Sequence, residues 1–259
     1  TLNTHLQFDS ISNITSPGYA TFDSTGTAGQ DVSVAINYID PGDSVSFRIN
    51  AIVRDTAPAN FIVPNTGNVT VTSLPGANGT TSNATGSSTP GATGTTTGER
   101  STSGNSSVNT TLGTPTIDKQ SPVAGSIYSI GQMIAYPIVV TVPEGVVQNT
   151  LITDELPAGL RYESHSVDVT GFSGVFANDP ATLTSPAVVP GTDGEDVILD
   201  FGNISTPGTS GTTDTFTVTI NARVTDVTGN YEGQTLSNNA FLTYTNPNTA
   251  LATNVTDTP

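Results

Sequence analysis

Lys119 is the sole lysine of a 259-residue chain that carries 22 acidic side chains, and it stands two residues after Ile117 in the segment Thr-Pro-Thr-Ile-Asp-Lys-Gln, residues 114–120. Alternate residues of an extended strand share a face, so a core-facing Ile117 brings Lys119 inward with it. The same rule puts Asp154 on the face of Ile152, and it groups Asn238 with Leu236, Ala240, Leu242 and Tyr244. An amine, a carboxyl and a carboxamide therefore all fall on expected core faces. Each is costly there alone, by several kcal/mol if charged and unpaired. Together they form a reaction centre. Desolvation drives the amine and the acid toward their neutral forms. A neutral Lys119 amine can attack the Asn238 carboxamide carbon while the Asp154 acid polarises its oxygen and relays protons, releasing ammonia and leaving an amide between the first and last strands. The other reading of the same residues is a buried Lys119–Asp154 ion pair hydrogen-bonded to Asn238, or a lysine extended toward one end of a sandwich. Neighbouring residues leave the register open, with Asn239 beside Asn238 and Glu155 beside Asp154.

The elements that must position these groups are strands. Thr and Val suit a pleated, half-buried surface, while Gly, Asn, Pro and Asp suit turns. No window places good helix formers at i, i+3, i+4, so the expected class is all-β. There are no cysteines, so no disulfide staples the fold, and an internal amide would be a substitute. Six basic against 22 acidic side chains, a net charge of -16, exclude nucleic acid as a partner. The sequence contains no apolar run long enough to span a bilayer, no signal peptide and no basic amphipathic helix. It opens at Thr1, which agrees with processing or with a fragment of something longer.

The chain repeats itself. Asp-Ser-Val-Ser-Phe-Arg-Ile-Asn-Ala-Ile-Val-Arg-Asp (43–55) matches Asp-Thr-Phe-Thr-Val-Thr-Ile-Asn-Ala-Arg-Val-Thr-Asp (214–226), sharing Ile-Asn-Ala. Residues 65–76 parallel 238–247, with Asn65 opposite Asn238, and residues 31–39 parallel 196–204. The expected organisation is tandem immunoglobulin-like β-sandwiches. Residues 1–113 form the C-terminal part of one repeat with a Gly/Ser/Thr-rich loop at 76–107, and residues 114–259 form a complete repeat ending in a connecting strand. The first copy starts near the counterpart of Leu-Arg-Tyr-Glu-Ser-His-Ser-Val-Asp-Val (160–169) and lacks what precedes it. Its missing strands lie upstream in a longer array or come from another subunit.

The segments Thr-Ile-Asp-Lys-Gln-Ser-Pro (116–122), Tyr-Ser-Ile-Gly-Gln-Met-Ile-Ala-Tyr-Pro (128–137), Thr-Asp-Glu-Leu-Pro-Ala-Gly-Leu (153–160) and Leu-Ser-Asn-Asn-Ala-Phe-Leu-Thr-Tyr (236–244) carry a family likeness. The chain resembles the DUF11-type repeat, close to the fimbrial isopeptide-forming D2 domain, found in tandem in large prokaryotic surface proteins and adhesins. The likeness covers the whole second copy and the back half of the first. It implies an immunoglobulin-like sandwich at the cell surface, used as a stalk, surface layer or filament subunit, and it implies that some relatives carry an internal Lys-Asn isopeptide bond.

Other groups carry less. Asp193, Glu195, Asp196 and Asp200 are calcium-ligand types without the spacing of a calcium loop, and solvated charge at a strand entrance is the favoured reading. Glycosylation sequons fall at Asn13, Asn68, Asn78, Asn83, Asn105, Asn109, Asn203 and Asn254, meaningful only where the source glycosylates them. His5 and His165 stand at roughly corresponding places and are too few for a metal site. No nucleophile elbow, phosphate loop or dinucleotide fingerprint occurs, so the expectation is a non-enzymatic, cofactor-free extracellular protein whose partners are like subunits or adjacent repeats, with no membrane insertion. The alternative is an adhesive module that binds glycan or a cell surface through loops at one sandwich end. The loose aromatic group Tyr19, Phe22, Phe172 and Phe176 bears on that alternative: exposure would favour binding, and packing would not.

Overall fold

The computed structural model describes residues 1–36, 39–40, 42–72, 101–122, 126–179, 194–208 and 213–257. It is all-β, with no helix among the described residues, and it divides into two compact units. Unit 1 comprises Thr1–Arg54 and Ile62–Thr110; unit 2 comprises Asp55–Phe61 and Thr111–Pro259.

Unit 1 holds β1 (Leu6–Thr15), β2 (Phe22–Asp23), β3 (Ala35–Ile36), β4 (Ser46–Val53), β5 (Ile62–Thr72) and β6 (Ser101–Thr111). They pair only as two-stranded sheets, β1 with β4, β2 with β3 and β5 with β6. Little is interior: among its described apolar residues only Leu2 and Val63 are buried. The loop expected at 76–107 ends earlier, because residues from Ser101 belong to β6. Residues 101–111 are rich in Ser and Thr, and their backbone groups are taken up by β5. Residues 76–100 lie outside the described residues.

Unit 2 is a two-sheet sandwich built from β7 (Thr116–Lys119), β8 (Met133–Val142), β9 (Gly145–Glu155), β10 (Leu160–Asp168), β11 (Val175–Phe176), β12 (Asp196–Thr206), β13 (Asp214–Val224), β14 (Asn239–Asn246) and β15 (Leu251–Thr256). One sheet runs β10-β13-β8-β7 and the other β11-β12-β9-β14-β15, with antiparallel pairing throughout. Strict alternation fills the space between them: Ile134, Tyr136, Ile138, Val140 and Val142 of β8 meet Phe216, Val218, Ile220 and Ala222 of β13 and Ile152, Leu199, Phe201, Leu242 and Tyr244 from the facing sheet. The segment Asp55–Phe61, expected in the first repeat, packs with unit 2, where Ala59 N–H donates to the Val146 carbonyl and Val146 N–H to that of Ala57.

One irregularity matters for the chemistry. Val147 of β9 points inward, and unbroken alternation from it would send Asp154 to the outer face. Asn149 takes a left-handed φ of 52°, a conformation Asn tolerates better than most residues, and the inward set shifts to Thr150, Ile152 and Asp154. Asn149 is anchored there, its N–H donating to Asn203 Oδ1 and its Nδ2 to Thr245 Oγ1. Opposite it, β12 bulges around Gly202, so its inward residues also change parity, from Val197, Leu199 and Phe201 to Ile204 and Thr206.

The two Ile-Asn-Ala strands share a hairpin register with their partners. Leu6, Phe8 and Ser10 face Val53, Ala51 and Asn50, skipping Asp9. Leu160, Tyr162 and Ser164 face Val224, Ala222 and Asn221, skipping Glu163. This register corrects the matching of the two histidines. Arg54 N–H donates to the His5 carbonyl as Thr225 N–H donates to that of Gly159, so His5 corresponds to Gly159, and His165 to Ile11.

Candidate functional site

Lys119 sits at the end of β7, paired with Ile138 on β8, and its Nζ lies 2.5 Å from Asp154 Oδ1. The two side chains are 5% and 1% exposed, so this is an interior pair. They come from opposite sheets, since β7 borders the β8 sheet and Asp154 belongs to β9. Asp154 faces Ala240 across the β9–β14 pair, which leaves Asn238 just ahead of that strand on the inward side. Asn238 is partly buried whereas Asn239 is exposed, and Asp154 is buried whereas Glu155 is exposed. Lys119, Tyr136, Asn238 and Asp257 line one cleft of about 670 Å³ at this end of the sandwich.

Burial pushes the Lys119 pKa down, against the opposing pull of the Asp154 charge and hydrogen bond and the Asp257 charge. Burial likewise pushes the Asp154 carboxyl up, against Lys119 and the Asn238 carboxamide, which pull it down. Each group is thus moved toward its neutral form. The Lys119 Nζ lies 5.0 Å from the centre of the Tyr136 ring, an aromatic wall that screens the amine from water on one side. The Tyr136 phenol is itself pushed up to about 12, chiefly by burial and then by the Asp154 charge.

Hydrogen bonding here is incomplete. Although the Asn238 amide acts on the Asp154 pKa, three buried atoms, Asp154 Oδ2, Asn238 Nδ2 and Asn238 Oδ1, make no hydrogen bond of normal geometry. A buried unpaired polar group costs about 1–3 kcal/mol, so three together mark a place where the interior is not at rest. Strand alternation could have found Tyr136, which shares the inward face of β8 with Ile134 and Ile138 beside Lys119.

The remaining candidates are dispersed. Asp193 lies outside the described residues; Asp196 pairs across to Glu155, and Asp200 Oδ1 accepts from Gly202 N–H. No group of three or more His, Asp or Glu side chains with metal-binding geometry exists among the described residues. Of the sequons, Asn78 and Asn83 lie outside the described residues, while Asn13, Asn68, Asn105, Asn109, Asn203 and Asn254 are exposed. Asn203 and Asn254 use their Oδ1 atoms as acceptors, for Asn149 N–H and Thr243 Oγ1. The His165 ring stacks on Tyr162, whose hydroxyl is 2.7 Å from Nδ1. Phe172 and Phe176 stack at 4.7 Å and pack against the core rings of Phe216 and Phe201. Phe22 meets Phe47 edge-on, and the Tyr19 hydroxyl donates to Asp43.

No protein-family model and no curated protein sequence matches the chain. Among solved structures, it is similar to the 35 kDa C-terminal fragment of the major pilin of Streptococcus agalactiae, at 14% identity over 56% of this chain and 54% of the pilin fragment, with a TM-score of 0.37. It is similar to the major pilin subunit of Bacillus cereus, at 16% identity over 64% of this chain and 57% of the pilin, TM-score 0.34. A third is the major pilin of Corynebacterium diphtheriae, at 18% identity over 58% of this chain and 34% of the pilin, TM-score 0.33. The matches thus span a third to just over half of these pilins.

Proposed function

We propose that the chain is a section of an extracellular structural protein built from DUF11-type sandwich repeats, serving as a stalk, surface layer or filament and locked by an internal amide between Lys119 and Asn238. The observation that carries this reading is the buried Lys119–Asp154 pair beside the Asn238 carboxamide, whose buried atoms make no hydrogen bond of normal geometry. In the reaction, the neutral Lys119 Nζ attacks Asn238 Cγ while the protonated Asp154 donates to Oδ1. The tetrahedral intermediate then expels Nδ2 as ammonia, with Asp154 carrying the proton from the amine to the leaving nitrogen. Amine plus carboxamide gives amide plus ammonia, and no other reactant is required. The product also removes the unpaired atoms: Nδ2 leaves, the new N–H donates to Asp154, and Oδ1 accepts from it.

The mechanical consequence follows from position. β7 is the first strand of unit 2 and β14 its last but one, in the facing sheet. Tension between the ends of this unit would run through the amide and bypass every residue between 119 and 238. A stretch of that length spans about 400 Å when extended. Single-molecule pulling therefore tests the reading. The parent chain withholds that length at forces that unfold ordinary sandwiches, and Asp154→Ala releases it; equal extension of the two disproves the lock. The adhesive alternative gains nothing from Phe172 and Phe176, which pack against the core, and among the four aromatic residues only Tyr19 is exposed.

A further inference from the structure

β13 is an interior strand of its sheet, with β10 on one edge and β8 on the other. β4 has the same Ile-Asn-Ala core, the same neighbour on one edge and the same bulge opposite it. The outer-face bonding is repeated too, since Asn50 Nδ2 donates to Ser10 Oγ as Asn221 Nδ2 donates to Ser164 Oγ. This register equates Phe47, Ile49, Ala51 and Val53 with Val218, Ile220, Ala222 and Val224. The second set is buried, Val218, Ile220 and Ala222 completely. In the first, Phe47 and Ile49 are 36% and 39% exposed, and among the described residues nothing pairs with the far edge of β4.

We infer that the open edge and apolar face of β4 accept one extended, antiparallel segment with the pattern of β8, apolar at alternate positions as in Ile134, Tyr136, Ile138, Val140 and Val142. The inference rests on the repeat reading above and names what completes the first repeat. Its register follows from the β13–β8 pair: the counterpart of Ile138 lies opposite Phe47, that of Tyr136 opposite Ile49 and that of Ile134 opposite Ala51. A second folded copy does not meet the requirement, because its own β8 is held between β13 and β7. The occupant is a segment not yet engaged in a sandwich, belonging to a further repeat of this type. Main-chain bonding along the edge holds it, and the alternate side chains bury Phe47 and Ile49.

The test adds such a segment in its natural spacing. Since His5 corresponds to Gly159, Thr1 corresponds to Glu155, and residues 114–154 can be joined directly ahead of Thr1 of the full chain. Amide hydrogen exchange is then read on Ser46–Val53, with and without the addition. Completion slows the β4 amides not bonded to β1 by at least about 100-fold. Ile49→Asp in the extended chain restores fast exchange, and a scrambled 114–154 segment gives no protection. Unchanged β4 exchange in the extended chain overturns the inference. So does concentration-dependent protection of β4 in the unextended chain, which would make a second copy the occupant. The ammonia deficit from Lys119 and Asn238 is read in the unextended chain, which holds no second lysine, and does not involve β4, so failure here and failure of the amide lock are distinguishable.

Discussion

Replacing Lys119 by Met and Asp154 by Leu in one chain separates a covalent lock from an ion pair by the sign of the stability change. The double substitution removes both buried charges while nearly keeping volume, so it leaves no unpaired charge behind. For a pair joined only by charge and hydrogen bonding, such a replacement is neutral or stabilising, by about 1–4 kcal/mol. For a cross-link, it opens a loop of about 120 residues from Lys119 to Asn238, and the chain-entropy relation for covalent staples assigns that loop about 5 kcal/mol. Thermal midpoints in a domain of about 150 residues move by about 2–4 °C per kcal/mol, so the expected fall is about 10–20 °C. Differential scanning calorimetry of the unit 2 transition reads it. A variant that melts at or above the parent temperature would refute the covalent argument and leave the ion pair standing.

Three more outcomes follow. Chain collected unfolded and diluted into buffers of different pH should lose ammonia over a central pH plateau, because the reactive state shares one proton between Lys119 and Asp154. The acid limb, where both are protonated, lies above the ordinary carboxyl value of 3.8, and the alkaline limb, where both are deprotonated, lies below the ordinary amine value of 10.5, in line with the directions in which burial moves the two groups. A rate still climbing beyond the ordinary amine value would contradict this. Asn239→Ala should leave the ammonia loss intact and Asn238→Ala should abolish it, as peptide mass mapping would show, because Asn239 is exposed and Asn238 faces inward. Asn149→Val should cost at least about 1–2 kcal/mol in denaturant titration, since a β-branched residue is forced into a left-handed φ of 52°; an unchanged midpoint would show that the parity shift behind Asp154 does not depend on Asn149.

Much of this architecture can be read in the alternation itself. Ile117 with Lys119, and Leu242 and Tyr244 with Asn238, needed only a period of two and an apolar neighbour to fix the face. The doubled Ile-Asn-Ala strand was legible from the match of residues 43–55 with 214–226, and the two strands have the same bulge opposite and the same outer Asn–Ser bond. Other features were hidden because they depend on partners distant in sequence. Asp154 could be placed inward from its neighbour Ile152, but the change of inward parity after Val147, made at the left-handed Asn149 opposite the β12 bulge, is marked by no local pattern. The strand character of Ser101–Thr111 was masked by composition, since Ser, Thr and Gly serve a loop as well as an edge strand. Asp55–Phe61 belongs with unit 2 through backbone bonds to Val146, made where Gly145 at φ 106° leaves no room for a side chain against the Ala57 carbonyl.

The amide between Lys119 and Asn238 is tested most directly by intact mass of the full chain under denaturing conditions, followed by proteolysis and fragment sequencing. The expected result is a mass short of the sequence value by one ammonia and a branched peptide joining the two residues. A mass equal to the sequence value, with Lys119 and Asn238 recovered in separate linear peptides, would contradict it.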